Sequence, residues 1–341
     1  MKNYAMAYTH LRNSLDCDII ILQIFLKRGK IMSMADKFKG STTCPNCGAK
    51  ISKDSLFCSK CGEKIEIISE EEPKEDDFLA NPFIHEADRK SLKILKSIPG
   101  FDSVVKKFMK IYSEKEEYII NLSSNLKLSE EQMPEIYNLL PPICKKLNIE
   151  IPDLYLKLDV VPNAYTYGDT HPYIVITSGL LETMPFELLP TVLAHECGHI
   201  ACHHTLYTTI ARTLINGAGI AGSYFGLGTL ISVPLQIALY QWERNSELSA
   251  DRAATFYNSG SDNVIELCMR FAGCDKDLNY TVSKDLFMKQ AQDSLEVVQS
   301  SKWNKTLEFI ILANSSHPFN SVRANESYKW SQSDEFKALL D

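Results

Sequence analysis

The sequence predicts a mainly helical α+β fold, with a long buried helix and a small antiparallel sheet in the main domain and a small cysteine-rich module ahead of it. Three observations predict it. Apolar residues recur at helical spacing over most of the chain beyond Phe83; one segment, 151–181, instead alternates and is rich in β-branched residues; and four clustered cysteines stand apart, ahead of an acidic stretch. At 341 residues the chain can bury a substantial core. A formal net charge of −7 gives no footing for nucleic acid as a partner. Ten cysteines are many, but four fall in CxxC pairs and the rest do not form a disulfide framework. That usage points to a reducing, cytoplasmic setting with metal sites.

Residues 1–40 read as a leader. Their apolar run, Ile19 to Lys27, follows Asp16 and Asp18 and not a basic region, so it is not a secretory signal. It is also shorter than the ~20 residues that span a bilayer. Met34 is an alternative translation start, because MADKFKG leads directly into the cysteine module.

The module covers residues 41–65. Cys44, Cys47, Cys58 and Cys61 form CxxC, ten residues, CxxC, with Gly48 and Gly62 behind each second cysteine. Each CxxC is a tight turn that aims two thiolates at one point, and four thiolates close a tetrahedral shell around a structural zinc with no position open for chemistry. The segment resembles small zinc ribbons, which serve more often as docking modules for protein partners than as nucleic-acid binders. Residues 66–82 are dense in acid, carry two prolines and read as a solvated linker.

From 83 the main domain begins. SVVKKFMKIYSEKEEYIINLSSNL and LSEEQMPEIYNLLPPICKKLN have helical periodicity, the second after Ser129 as N-cap. LYLKLDV and YIVIT then predict strands of the small sheet.

The next element is a helix through LLPTVLAHECGHIACHHT, Leu188 to Thr205, which holds four of the chain's eight histidines. His195, Glu196 and His199 form HExxH. Residues i and i+4 share a helix face, so both imidazoles can bind one ion, while Glu196 projects beside them to take a proton from a bound water. Gly198 weakens a helix, which suggests close approach by another element. His203 continues the i+4 ladder but lies a further turn, ~6 Å, along the axis and out of reach. Cys197, Cys202, His203 and His204 are therefore read as neighbours of the site and not ligands.

A hydrolytic metal site needs a third protein ligand and an open position. QWERNSELSADRAATFY, Gln241 to Tyr257, predicts a second helix with Glu247 and Asp251 on one face. Glu247 would complete the ligand set, and Asp251 would accept the second N–H of a ligating histidine, His195. Glu243 competes one turn earlier, but the spacing to Asp251 favours Glu247.

Between the two helices, 213–242 carries no charge. His199 and Glu247 must reach one ion, so both flanks lie on one side of any membrane, and two crossings would need ~40 residues. A hairpin broken by glycines and Pro234 is expected, with any membrane contact peripheral.

With these pieces the chain resembles the HtpX-like and CAAX-prenyl-protease-like zinc metallopeptidases of peptidase family M48, which are gluzincins. The resemblance runs from about 85 to 330. It rests on VLAHECGH, on RNSELSADRAA with Arg244, Glu247 and Asp251, on Asn163-Ala164 ahead of a strand and Gly-Leu-Leu, and on His317-Pro318 with Arg323. It implies a gluzincin-type domain in which Asn163 and Ala164 lie on an edge strand that binds substrate by strand addition. It implies that His317 stabilises the oxyanion of the tetrahedral intermediate, and that Arg323 orders the site or binds substrate. The expectation is a zinc endopeptidase acting on polypeptides, with one catalytic and one structural zinc. Three alternatives stand beside it: a zinc-retaining chaperone-like protein, a ribbon-centred adaptor with the larger domain as scaffold, and a membrane-surface protease acting on membrane or lipidated proteins.

Overall fold

The computed structural model describes residues 41–43, 46–52, 60, 81–101, 104–105, 108, 114–168, 171–216, 233–273, 282–312 and 317–340. The chain divides into two units, Met1–Glu72 and Pro73–Asp341. The leader, most of the acidic linker and three of the four ribbon cysteines, Cys44, Cys58 and Cys61, lie outside the described residues.

In the first unit, β1 (Ser41–Thr43) pairs antiparallel with β2 (Lys50–Ser52). The described part of the connection holds Cys47 in a turn, with Gly48 at φ +69. A left-handed residue straight after a cysteine is the conformation that glycine adopts without steric cost.

The second unit is mainly helical around a four-stranded sheet. Helix α1 (Glu86–Ser97) starts at His85, whose ring accepts from the Ala87 amide. Helix α2 (Glu114–Ser124) leads into β3 (Leu126–Lys127). Short α3 (Pro134–Tyr137) and α4 (Leu140–Leu147) follow, each with proline in its first turn. The segment expected to form one helix after Ser129 is thus split. The Ser129 hydroxyl accepts from the Glu131 and Gln132 amides and caps a turn, because Pro134 and Pro141 each begin a helix and cannot continue one.

The sheet comprises β3, β4 (Asp153–Lys157), β5 (Ala164–Tyr167) and β6 (Tyr173–Thr177) in the order β3-β4-β6-β5. It is mixed, where an antiparallel sheet was expected. β4 runs parallel to β6, Asp153 opposite Tyr173, and β5 is antiparallel to β6. The chain leaves β4, passes beyond β6 and returns as β5 on the far edge, so β4 and β5, consecutive in the chain, are not neighbours. All five residues of β6 are buried, as a central apolar strand requires.

Helix α5 (Ser178–Thr183) and a 3-10 turn (Phe186–Leu188) bring the chain to α6 (Leu189–Ala201), which is buried from Leu189 through His199 apart from half-buried Pro190. Helix α7 (Thr205–Asn216) follows, and α8 (Val233–Tyr257) packs chiefly on α6 and α1. The expected hairpin over 213–242 falls mostly outside the described residues; α8 begins at Val233, so Pro234 sits in its first turn, where its missing N–H has no partner to lose. Residues 217–232 lie outside the described set, and no described helix is long and apolar enough to cross a membrane. Helices α9 (Asp262–Gly273), α10 (Lys284–Gln299), α11 (Lys302–Leu312), α12 (Asn320–Ser331) and α13 (Asp334–Leu340) complete the unit. The main core joins α4, β4, β6, α6 and α8 through residues such as Ile143, Leu154, Ile174, Leu193 and Ala253.

Candidate metal centre

Two helices carry the site, and small residues let them meet. A Cβ on Gly198 would come within 2.8 Å of Ala253 Cβ and 2.9 Å of Ala250 Cα. Since Ala250 offers backbone there, nothing can rotate aside. The glycine in HExxH therefore marks the close crossing of α6 and α8 that its helix penalty suggested.

That crossing brings His195, His199 and Glu247 together. Each offers one ligand atom, all three atoms lie within 4.8 Å of one another, and all three residues are buried. His195 Nε2 stands 3.4 Å from Glu247 Oε2, and His199 Nε2 3.5 Å from Oε1. The imidazoles thus turn their Nε2 atoms, and not Nδ1, toward the carboxylate. Glu243, the competing carboxylate, is also buried but is not part of this group.

The fit to a metal can be tested on Glu247 itself. Its Oε2 is buried and accepts no hydrogen bond of ordinary geometry, although His317 Nδ1 lies 3.1 Å away. An orphaned buried carboxylate oxygen facing two imidazole nitrogens is costly unless a cation occupies the gap. Two nitrogens and one oxygen are a donor set that zinc accepts.

The charges around the gap are already arranged. Burial would lower the His195 pKa, but Asp251 and Glu247 outweigh it and raise it to about 10. Burial would raise Glu247, yet the imidazoles of His317, His195 and His199 hold it well below its ordinary value. Asp251 is likewise opposed by burial and brought down to about 2 by Arg323 and His195. For His199, burial dominates and lowers its pKa despite Glu247. A dication would displace the His195 proton and take over its role of balancing Glu247.

Asp251 Oδ1 lies 2.9 Å from His195 Nδ1. Arg323 holds the same carboxylate at two points, Nε to Oδ2 at 2.8 Å and an Nη to Oδ1 at 2.7 Å. Arg323 is 6 % exposed, so of the two roles the resemblance implied, its contacts are those of ordering the site and not of meeting a substrate. His317, half-exposed, stands at the outer side of Glu247. Exposed Asn163 precedes β5, its amide donating to Thr177 Oγ1 and its carbonyl accepting from the Thr177 amide. Ala164 pairs with Ile176, and β5 is one of the sheet's two edge strands, running beside α6.

Glu196 is buried, and its Oε2 accepts a 2.7 Å hydrogen bond from the Thr166 hydroxyl. The sequence reading missed Thr166. Strand periodicity was the available signal, because Ala164 and Thr166 share a face.

His204, a neighbour of the site by sequence, is in contact with His199. The expected helix ran to Thr205, but α6 ends at Ala201 and His203 is left-handed at φ 54. The His203 amide donates to the Ile200 carbonyl and the His204 amide to the His199 carbonyl, the pair of bonds of a Schellman end. His203 is left exposed, while His204 folds back, fully buried, with its Nδ1 3.1 Å from His199 Nδ1. Cys197 and Cys202 are fully buried packing residues, Cys197 Sγ lying 3.9 Å from Cys144 Sγ.

Comparison with known proteins agrees with this arrangement. Residues 132–331 match the model of peptidase family M48, and residues 43–65 match a zinc-ribbon domain. The chain is 32% identical over 266 residues to the plastoglobule-localized metallopeptidase 48, chloroplastic, of Arabidopsis thaliana, covering 77% of this chain and 76% of that protein. It is 32% identical over 129 residues to a protease HtpX homolog of Pelotomaculum thermopropionicum, covering 36% of this chain and 45% of that protein. A protease HtpX homolog of Sulfurihydrogenibium is 34% identical over 86 residues, or 25% of this chain and 29% of that protein. The chain thus spans less than half of either HtpX homolog. No solved structure matches it. With the family model covering more than half its length and a relative aligned over most of both chains, this chain belongs to peptidase family M48.

Proposed function

We propose that the chain is a zinc-dependent endopeptidase with an N-terminal zinc ribbon. The observation that carries the proposal is the buried group of His195, His199 and Glu247, with the Glu196 carboxylate on the same helix as the two histidines. Bound zinc would supply Lewis acidity, making water acidic enough to lose a proton near neutral pH and polarising a carbonyl. Glu196 is the general base: it takes that proton, with Thr166 holding one carboxylate oxygen, and later delivers it to the leaving amine. His317 donates to the developing oxyanion from the outer side. A peptide would add to β5 as a further strand past Asn163 and Ala164, which sets its scissile carbonyl over the helix beneath.

In the ribbon, Cys44, Cys47, Cys58 and Cys61 would hold a structural zinc, and the module would dock a protein partner or substrate. A cytoplasmic setting follows from cysteine usage. Contact with a membrane surface is a second reading, supported by Trp303 at 65%, Ile310 at 57% and Ile311 at 64% exposure on α11. Co-sedimentation with lipid vesicles checks it.

The endopeptidase proposal is tested by casein cleavage with wild type and Glu196→Gln. Loss of the general base should lower the rate by roughly 10²–10⁴-fold. Unchanged cleavage by the variant overturns the mechanism, and a chain that binds only one zinc overturns the two-site assignment.

A further inference from the structure

We propose that His204 and Asp88 are positioning residues for His199, forming a buried relay that determines which ring nitrogen of His199 is presented to a metal. The inference rests on the reading of His199 as a metal ligand.

With Asp88 ionised and His204 neutral, the contacts admit one self-consistent set of hydrogens. His199 Nδ1 and His204 Nδ1 are 3.1 Å apart, and His204 Nε2 is 2.9 Å from Asp88 Oδ2. An ionised carboxylate only accepts, so His204 Nε2 carries a hydrogen. In neutral His204 the Nδ1 is then bare and can only accept. The shared hydrogen must therefore sit on His199 Nδ1, which leaves His199 Nε2 bare. That is the atom facing Glu247 Oε1 at 3.5 Å.

Asp88 is built for this role. It is fully buried, and Oδ2 also accepts a 2.7 Å hydrogen bond from the Ser249 hydroxyl. The His204 ring is further confined by Trp242, edge-on with centroids 5.8 Å apart at 83°. The Schellman end of α6 aims His204 back at His199, and α1, N-terminal to the residues matched by the family model, supplies Asp88. Both proposed histidine ligands are thus tied to a carboxylate: His195 directly to Asp251, and His199 through His204 to Asp88.

A purely structural His204–Asp88 pair makes a different prediction. A doubly protonated His204 would donate from Nδ1 to a bare His199 Nδ1 and place the hydrogen on His199 Nε2, blocking the metal.

The test uses the full chain labelled with ¹⁵N-histidine and loaded with zinc. Long-range ¹H–¹⁵N correlation should show His204 as the Nε2–H tautomer, His199 as Nδ1–H with Nε2 metal-shifted, and a ¹⁵N–¹⁵N coupling across the hydrogen bond between the two Nδ1 atoms. Metal-bound His199 with a doubly protonated His204, or with no such coupling, overturns the relay. In parallel, cobalt affinity at this centre should fall roughly 10–100-fold in His204→Phe. Asp88→Asn, whose amide oxygen still accepts from His204, should lose less. Leu239→Ala, a buried deletion in the adjacent core, should leave the cobalt spectrum and affinity unchanged. If His204→Phe does not fold, the wild-type spectra and Asp88→Asn still decide. Equal affinity in His204→Phe and Leu239→Ala overturns the proposal. A wild-type chain with no metal at this centre sinks the ligand reading itself, which separates the two failures.

Discussion

The Thr166 hydroxyl donates to Glu196 Oε2 at 2.7 Å, joining the edge strand β5 to the helix that carries the proposed base. One side chain therefore couples the strand past which a peptide would lie to the group that would move its protons. Thr166→Val keeps the shape and removes the donor, so kcat on casein should fall roughly tenfold, equivalent to about 1.4 kcal/mol, with zinc content unchanged. Thr166→Ser should recover most of the loss. An unaltered kcat in the valine variant would show that Glu196 needs no such support.

Asp251 lies between His195 and Arg323, so its removal acts twice. Asp251→Ala should weaken zinc binding roughly 10–100-fold, because His195 loses the partner that orients its ring. It also strands the buried Arg323 cation, at a cost of about 3–5 kcal/mol in folding stability. Chelator titration and urea unfolding measure the two effects separately. Normal stability with weakened zinc would mean that Arg323 finds another partner.

Gly198→Ala tests the helix crossing. Alanine is the better helix former by about 1 kcal/mol, but its Cβ would meet Ala253 Cβ at 2.8 Å and Ala250 Cα at 2.9 Å. Overpacking of that kind costs about 1–3 kcal/mol, so the net effect should be destabilisation together with weaker zinc binding as α6 moves off α8. Thermal melts with and without zinc report both. A stabilised variant would show that the helices can separate freely.

Glu326 provides a pH test away from the centre. His85, Lys329 and its hydrogen bonds hold its pKa at about 2, below an ordinary 4.5. A carboxylate depressed in the folded state contributes stability that is fully present above its unfolded value and lost as pH falls through the folded one. Wild type should therefore exceed Glu326→Gln in stability above about pH 4.5, with the difference closing toward about pH 2. Urea midpoints across that range check the trend; a gap that widens on acidification would reverse the sign.

Much of this was legible in the chain because it is local. The i and i+4 spacing of His195 and His199 places both on one helix face whatever surrounds it, and Glu247 with Asp251 repeats the device on α8. Gly198 is conspicuous because a glycine inside a helix needs a reason. The mixed sheet was not legible, since alternation in LYLKLDV and YIVIT marks strands but carries no information on which neighbour each takes. Nor was the start of α8 at Val233, where Pro234 suits a helix's first turn as well as a break.

The sequence by itself determined the family, the mainly helical α+β class and the residue types available for a two-histidine, one-glutamate site, because periodicity and motif spacing are properties of a single segment. Only the tertiary structure decided that Thr166 meets Glu196, that Arg323 is spent on Asp251 and that His204 faces His199 with Asp88 behind it. The reason is physical. One left-handed residue, His203, reverses the chain at the end of α6, so extrapolating the helix carries His204 away from the site while the actual backbone turns it inward. Its partner Asp88 is more than a hundred residues earlier, where nothing in the local sequence records what will pack against it.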